Sequence, residues 1–177
     1  MDEHTLYLVV TGAATPRENV AGLIGSARER GWAVTVVCTP MGTRFHAVGE
    51  LSSASGNEVR VDFRRPGTGE RLLPPGALLA CPLTFNSLNK IAAGFADTMA
   101  VALVCEMLGY GVPTVCVPHL NPPLARHPAV DPSIRTLRSM GARVLYDPEA
   151  PADDRLPPWR DVLDAVDAAA RGGAAGR

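Results

Sequence analysis

Five short, nearly continuous apolar runs recur along this chain, each followed by a turn and then by helical patterning. They are TLYLVV (Thr5 to Val10), AVTVVC (Ala33 to Cys38), ALLAC (Ala77 to Cys81), PTVCV (Pro113 to Val117) and ARVLY (Ala142 to Tyr146). A strand that is apolar on both faces has to be covered on both faces, which is the condition of a parallel sheet sandwiched between helices. Strands alternating with helices therefore predict an α/β fold, a single doubly wound (Rossmann-like, flavodoxin-like) domain with a parallel sheet of about five or six strands.

The helices are read from spacing and from their stops. Val20, Leu23, Ile24 and Ala27 recur at three- and four-residue intervals, and Gly31 ends that segment. Phe45, Val48 and Leu51 suit the inner face of a short helix, and Phe85 to Leu108 is helical sequence with a break near Gly94. Ser133 to Met140 and the amphipathic Trp159 to Ala170 complete the set. EVRVDF (Glu58 to Phe63) alternates strictly and reads as a strand with one wet face. RRPGTGERLLPPG (Arg64 to Gly76) has three prolines and three glycines and reads as a loop. The expected organisation is one domain over residues 1–172, with a disordered tail at 173–177.

Seventeen basic against eighteen acidic side chains leave no broad electrostatic footprint for nucleic acid or anionic lipid. No apolar run approaches the roughly eighteen residues of a membrane span, and MDEHTLYLVVTG lacks the basic-then-apolar layout of a secretion signal. Cys38, Cys81, Cys105 and Cys116 lie in or beside apolar segments and form no CxxC pair. They are expected to be buried thiols of a cytoplasmic protein with no nucleic-acid, membrane or metal partner.

In a doubly wound sheet, ligands sit beyond the carboxyl ends of the strands. Four loops qualify. TGAATPREN (Thr11 to Asn19) puts a glycine and two alanines before a helix whose free backbone donors favour an anion; the same residues also read as a plain helix start, with Thr15 as cap, Pro16 first and Glu18 third. Thr39 places a hydroxyl at the end of the second run. PLTFNS (Pro82 to Ser87) collects Thr84, Asn86 and Ser87, although a lone Asn86 reads equally as a helix cap. PHLNPPLARHPA (Pro118 to Ala129) holds Asn121, with His119 and His127 expected as exposed loop histidines outside any HxxxH or HExxH pair.

Taken together, these loops resemble the flavoprotein family of homo-oligomeric flavin-containing cysteine decarboxylases, the phosphopantothenoylcysteine and lanthipeptide decarboxylases among them. TLYLVVTGAATP is similar to the family's first strand and phosphate loop, VTVVCTPMGTRF to its second strand, and SASGNEVRVD to its ALTGNPV-type turn. CPLTFNSLNKIAAGFAD resembles A-PASANT-xxKIAxGxAD at Pro82, Asn86, Lys90, Ile91, Ala92, Gly94, Ala96 and Asp97. VPHLNPPLARHPAVDPSIRTLRSMG resembles P-xMN-xxMW-xxPA-xxxN-LxxLxxxG at Pro118, Asn121, Pro128, Ala129, Leu137 and Gly141.

The resemblance implies FMN, or alternatively FAD, held between the subunits of a homo-oligomer, a trimer or an assembly of trimers. Gly12, Ala13, Ala14, Thr39, Pro82, Thr84, Phe85, Asn86 and Ser87 would lie against it, and Asn86 and Asn121 would serve cofactor and substrate as the catalytic pair. The implied reaction is flavin-dependent oxidation and decarboxylation of a small molecule or a peptide C-terminus. A flavin oxidoreductase, a prenyltransferase-like relative and a non-catalytic flavin-binding regulatory subunit are the alternatives. Three family features differ. The histidine expected before the third strand falls at or near Thr68, with Glu70, Arg71, Arg64 and Arg65 as the nearest groups for its task; the methionine and tryptophan of PxMNxxMW are replaced by Leu120, Leu124 and Ala125; and YDPEAPADDRLPPW contains no clamp cysteine.

Overall fold

The computed structural model describes residues 2–15, 17–65, 67, 68, 72–150 and 156–175. Five parallel strands form one sheet: β1 (Asp2–Val10), β2 (Ala33–Cys38), β3 (Pro75–Leu83), β4 (Thr114–Pro118) and β5 (Arg143–Val144), in the order β2-β1-β3-β4-β5. That is the flavodoxin-like order, in which chain direction across the sheet reverses between β1 and β3.

The alternation along β1 shows why its apolar run is unbroken. Leu6, Leu8 and Val10 enter one core with α1 (Val20–Glu29) and α8 (Trp159–Ala175), while Tyr7 and Val9 enter a second core with α4 (Phe85–Ala92), α5 (Met99–Gly109) and α7 (Val130–Ser139). Every residue of β3 is buried, as befits a strand with neighbours on both sides and helices on both faces. Three shorter helices lie near the carboxyl end of the sheet or on its β2 side: α2 (Gly42–Phe45), α3 (Val48–Ser55) and α6 (Pro122–Ala125). No helix among the described residues is long and apolar enough to cross a membrane.

Several expected boundaries move, each for a local reason. EVRVDF does not form a strand; it touches the outer edge of β2 through an isolated bridge, with Arg60 donating its N–H to Val36 at 3.0 Å and accepting that of Cys38 at 2.8 Å. Val59 is buried there, but Phe63 is 58% exposed, so nothing holds the segment in register beyond one residue. Phe45 and Val48 also face outward, and only Leu51 of that expected trio is buried. Two helices replace one because the chain turns at His46 and Ala47.

The first helix begins at Val20, capped by Asn19, whose Oδ1 accepts the Gly22 N–H at 2.8 Å; Thr15 is not its cap. Pro16 of that expected cap lies outside the described residues, as do Glu70 and Arg71. The break near Gly94 is present. Gly94 takes φ 76°, a left-handed conformation that costs glycine nothing, and the Phe95 N–H closes the end of α4 on the Lys90 carbonyl at 2.9 Å. The fifth strand is shorter than ARVLY, although the Leu145 N–H still reaches Cys116 at 2.9 Å. Helix α8 runs through Ala175, past the Ala170 at which the amphipathic sequence pattern ends.

Candidate functional site

The reversal between β1 and β3 opens a crevice at their carboxyl ends, and a single residue ties its two sides together. Thr11, the first residue after β1, is buried. Its hydroxyl donates to the Pro82 carbonyl at 2.8 Å and accepts the Thr84 N–H at 2.9 Å. The loops after the first and third strands are thus one unit. The Cys81–Pro82 peptide is cis.

The loop after β2 is drawn into the same unit by two glycines. A Cβ on Gly42 would stand 2.6 Å from the Val10 carbonyl oxygen, and one on Gly12 would stand 2.4 Å from Met41 Cγ. Close approach of these chains is possible because neither residue has a side chain. Thr39 completes the junction: its N–H donates to Val10 at 2.9 Å and its hydroxyl accepts the Gly42 N–H at 3.0 Å. His46 finishes it from below. It is buried, with Nε2–H donating to the Ala13 carbonyl at 3.0 Å, and burial lowers its pKa, partly opposed by the Ala13 and Thr11 carbonyls.

Above this scaffold lies a pocket of about 510 Å³ lined by three loops. The first supplies Gly12, Ala13 and Ala14, the third Thr84, Phe85 and Asn86, and the fourth His119, Leu120, Asn121 and Leu124, with Phe45 at the side. Thr84 caps α4 through the Ser87 N–H, so Asn86 is not the cap and its exposed side chain is free of that role. Asn121 is a cap: its Oδ1 accepts the Leu124 N–H at 3.1 Å at the start of α6.

Six of the residues expected at the site, Gly12, Ala13, Ala14, Thr84, Phe85 and Asn86, meet in this pocket with Asn121. Thr39, Pro82 and Ser87 do not line it. They stand behind it, Thr39 on α2, Pro82 holding Thr11, and Ser87 hydrogen-bonded to Thr84. Thr68 is far from this work: it is exposed and closes a local turn, its hydroxyl donating to Arg65 at 2.8 Å while Arg64 donates to its carbonyl.

Sequence reasoning missed Thr11 and His46, and it misplaced His119. His119 is part-buried in the pocket lining, not an exposed loop residue, because its N–H extends the β3–β4 ladder one step to Leu83 at 2.9 Å. The available signal was position: it directly follows Pro118, the last residue of β4. His127 is exposed as expected, its ring edge-on to Phe85 at a centroid distance of 5.2 Å.

The lining carries no carboxylate and no lysine or arginine among the described residues. Its polar groups are two amides, a hydroxyl, an imidazole and backbone; the rest is apolar. Such a surface orients an uncharged, flat, polar-edged group and does not repel an anion. No thiolate is at hand. Burial pushes the Cys38 and Cys116 thiols up to about 12 and raises Cys81 and Cys105 as well. Among the described residues no three His, Cys, Asp or Glu side chains are grouped to hold a metal ion.

A flavodoxin-like sheet with a pocket at its switch point defines the class of α/β fold to which the chain belongs. Within it, the chain belongs to the Flavoprotein family, whose sequence profile matches residues 1–171. Among curated protein sequences, none matches. Solved structures that share the fold include these three. The FMN-dependent cysteine decarboxylase TvaF of thioviridamide biosynthesis superposes with a TM-score of 0.76 at 21% identity, over 94% of this chain and 98% of that one. The cypemycin decarboxylase CypD gives 0.73 at 22% identity, over 96% and 95%. The FMN-binding protein AtHal3 gives 0.75 at 17% identity, over 94% and 96%.

Proposed function

We propose that the pocket binds FMN and that the protein uses it to oxidise and decarboxylate a small molecule or the C-terminus of a peptide. The observation that supports this most is the meeting, in one uncharged pocket, of the glycine loop after β1 with Asn86 and Asn121 from two other loops, in a chain of the Flavoprotein family. The residues suit the group. A volume of about 510 Å³ lies within the roughly 300–1,000 Å³ of small-molecule and cofactor sites. The close-packed glycine and alanine backbone would receive the phosphate end, and Phe45, Phe85, Leu120 and Leu124 would flank a planar ring.

When bound, a flavin supplies a two-electron acceptor. The chain's own residues bind and orient. Asn86 and Asn121 offer amide donors to a substrate carboxylate, and Asn121 is held in place by its cap to Leu124. The apolar side chains exclude water, which strengthens every polar contact inside. Phe45 is 52% exposed and Leu124 39% exposed at the rim, and a second copy of the chain would cover them, as expected of a homo-oligomeric site completed between subunits. Four free thiols support a cytoplasmic setting.

The reaction is tested by incubating flavin-loaded protein with peptides ending in cysteine and following loss of carbon dioxide by mass spectrometry. Conversion supports the decarboxylase reading. Tight flavin retention without conversion of any thiol substrate removes that reading. It favours a non-catalytic flavin-binding role, a second reading supported by Thr68 lying in a solvent-exposed turn where a proton-handling histidine was expected.

A further inference from the structure

We propose that His119 is the proton-transfer residue of this pocket, taking over a task for which the loop leading into β3, residues 64–74, provides no histidine. The inference rests on the flavin-pocket reading above and adds to it the residue that moves the proton.

Three observations carry it. His119 is the one lining residue, among those described, of a type that ordinarily serves as a proton acceptor and donor; its companions are amides, a hydroxyl, apolar groups and backbone. Its backbone is fixed, because the N–H to Leu83 at 2.9 Å continues the sheet ladder beyond the Leu83–Pro118 pair. It stands two residues before Asn121, and both line the pocket together with Asn86 from the loop after β3. An imidazole anchored to the sheet beside two amides has the placement a general base needs.

The other histidines around the pocket do not line it. His46 Nε2–H is used on the Ala13 carbonyl beneath the first loop, and the ring is not part of the lining. His127 is exposed, and its Nδ1 accepts the Ala129 N–H at 3.1 Å. Thr68, Arg64 and Arg65 form their own turn.

In the assigned step the neutral imidazole of His119 takes the proton of the substrate thiol. The S–H bond breaks, an N–H bond forms, and the electron pair remains on sulfur. No oxidant enters that step. The imidazolium left behind is the proton source for a later protonation of the product.

Two measurements test the assignment. His119→Gln should retain bound flavin and its absorbance while turnover of a cysteine-terminated tripeptide falls by about 10²- to 10⁴-fold, and the acidic limb of the pH–rate profile should disappear. Independently, the His119 imidazole of the wild-type holoprotein, with its flavin chemically reduced so that no turnover occurs, should titrate by NMR with a midpoint raised by about one pH unit or more when the same tripeptide is added. A midpoint unmoved by the peptide, or a His119→Gln enzyme with wild-type rate and pH profile, overturns the assignment. Failure of the flavin reading shows separately, as protein that takes up no flavin at all.

Discussion

Thr11 and Thr84 are joined by a single hydrogen bond, the Thr84 N–H to the Thr11 hydroxyl at 2.9 Å, and the same hydroxyl donates to Pro82 at 2.8 Å. One buried side chain therefore adds two bonds to the backbone link between these loops, the Thr11 N–H donating to the Pro82 carbonyl at 3.3 Å. Thr11→Val keeps the shape and removes both bonds, leaving a buried backbone N–H and carbonyl with one partner fewer. The expected cost is about 1–3 kcal/mol in unfolding free energy by denaturant titration, with faster flavin release. Thr11→Ser should restore most of both; a Val variant as stable and as retentive as wild type would show that the loops are positioned by other means.

The glycines separate in the same way. Gly42→Ala would press a methyl to 2.6 Å from the Val10 carbonyl oxygen, an atom of the central strand that cannot retreat. Gly12→Ala would meet Met41 Cγ at 2.4 Å, which can swing outward because the residue is 50% exposed, and Met41 Cβ at the looser distance of 3.1 Å. Gly42→Ala should cost about 1–3 kcal/mol, and Gly12→Ala less. Met41→Ala should relieve the second substitution and leave the first unchanged, as thermal melts of the two double variants will show.

His46 makes stability pH-dependent. Burial lowers its folded-state pKa below the ordinary 6.5, so between that value and the folded pKa the unfolded chain binds more protons than the native one. Its contribution is complete above pH 6.5 and is lost as the pH falls below it. His46→Gln, which keeps an N–H for Ala13, should flatten this part of the Tm-against-pH curve. Parallel curves for the two proteins in that range would contradict the assignment.

The two asparagines should respond differently. Asn86 caps nothing, so Asn86→Ala should change stability by no more than about 0.5 kcal/mol while weakening flavin or substrate binding. Asn121→Ala also removes a helix cap and should cost about 0.5–2 kcal/mol. Asn121→Asp retains the cap acceptor but replaces the amide donors with a charge. It should melt like wild type and still lose turnover, and loss of turnover only in step with loss of stability would reduce Asn121 to a structural role.

The sheet was legible in the sequence wherever burial on both faces forces an unbroken apolar run, as in ALLAC, which became the wholly buried β3. It was illegible at the edges. EVRVDF has the alternation of a strand, but beside β2 only Arg60 finds a partner, and ARVLY pairs for two residues. The site loops were legible as places because strand ends and glycine, asparagine and proline clusters locate them. Individual roles were not. Cap assignment depends on where each helix actually starts, which moved from Thr15 to Asn19 and from Asn86 to Thr84. His119 sits in a proline-rich stretch that reads as exposed, and only the long-range pairing with Leu83 brings it into the pocket.

The central claim, that this pocket is built for FMN, is tested most directly by the absorbance of the freshly purified protein, followed by heat release and chromatographic identification of what was bound. The account predicts a yellow protein with the flavin bands, releasing FMN at one molecule per chain and losing colour when Thr11 is replaced by valine. A colourless protein that stays colourless after incubation with excess FMN or FAD would contradict it.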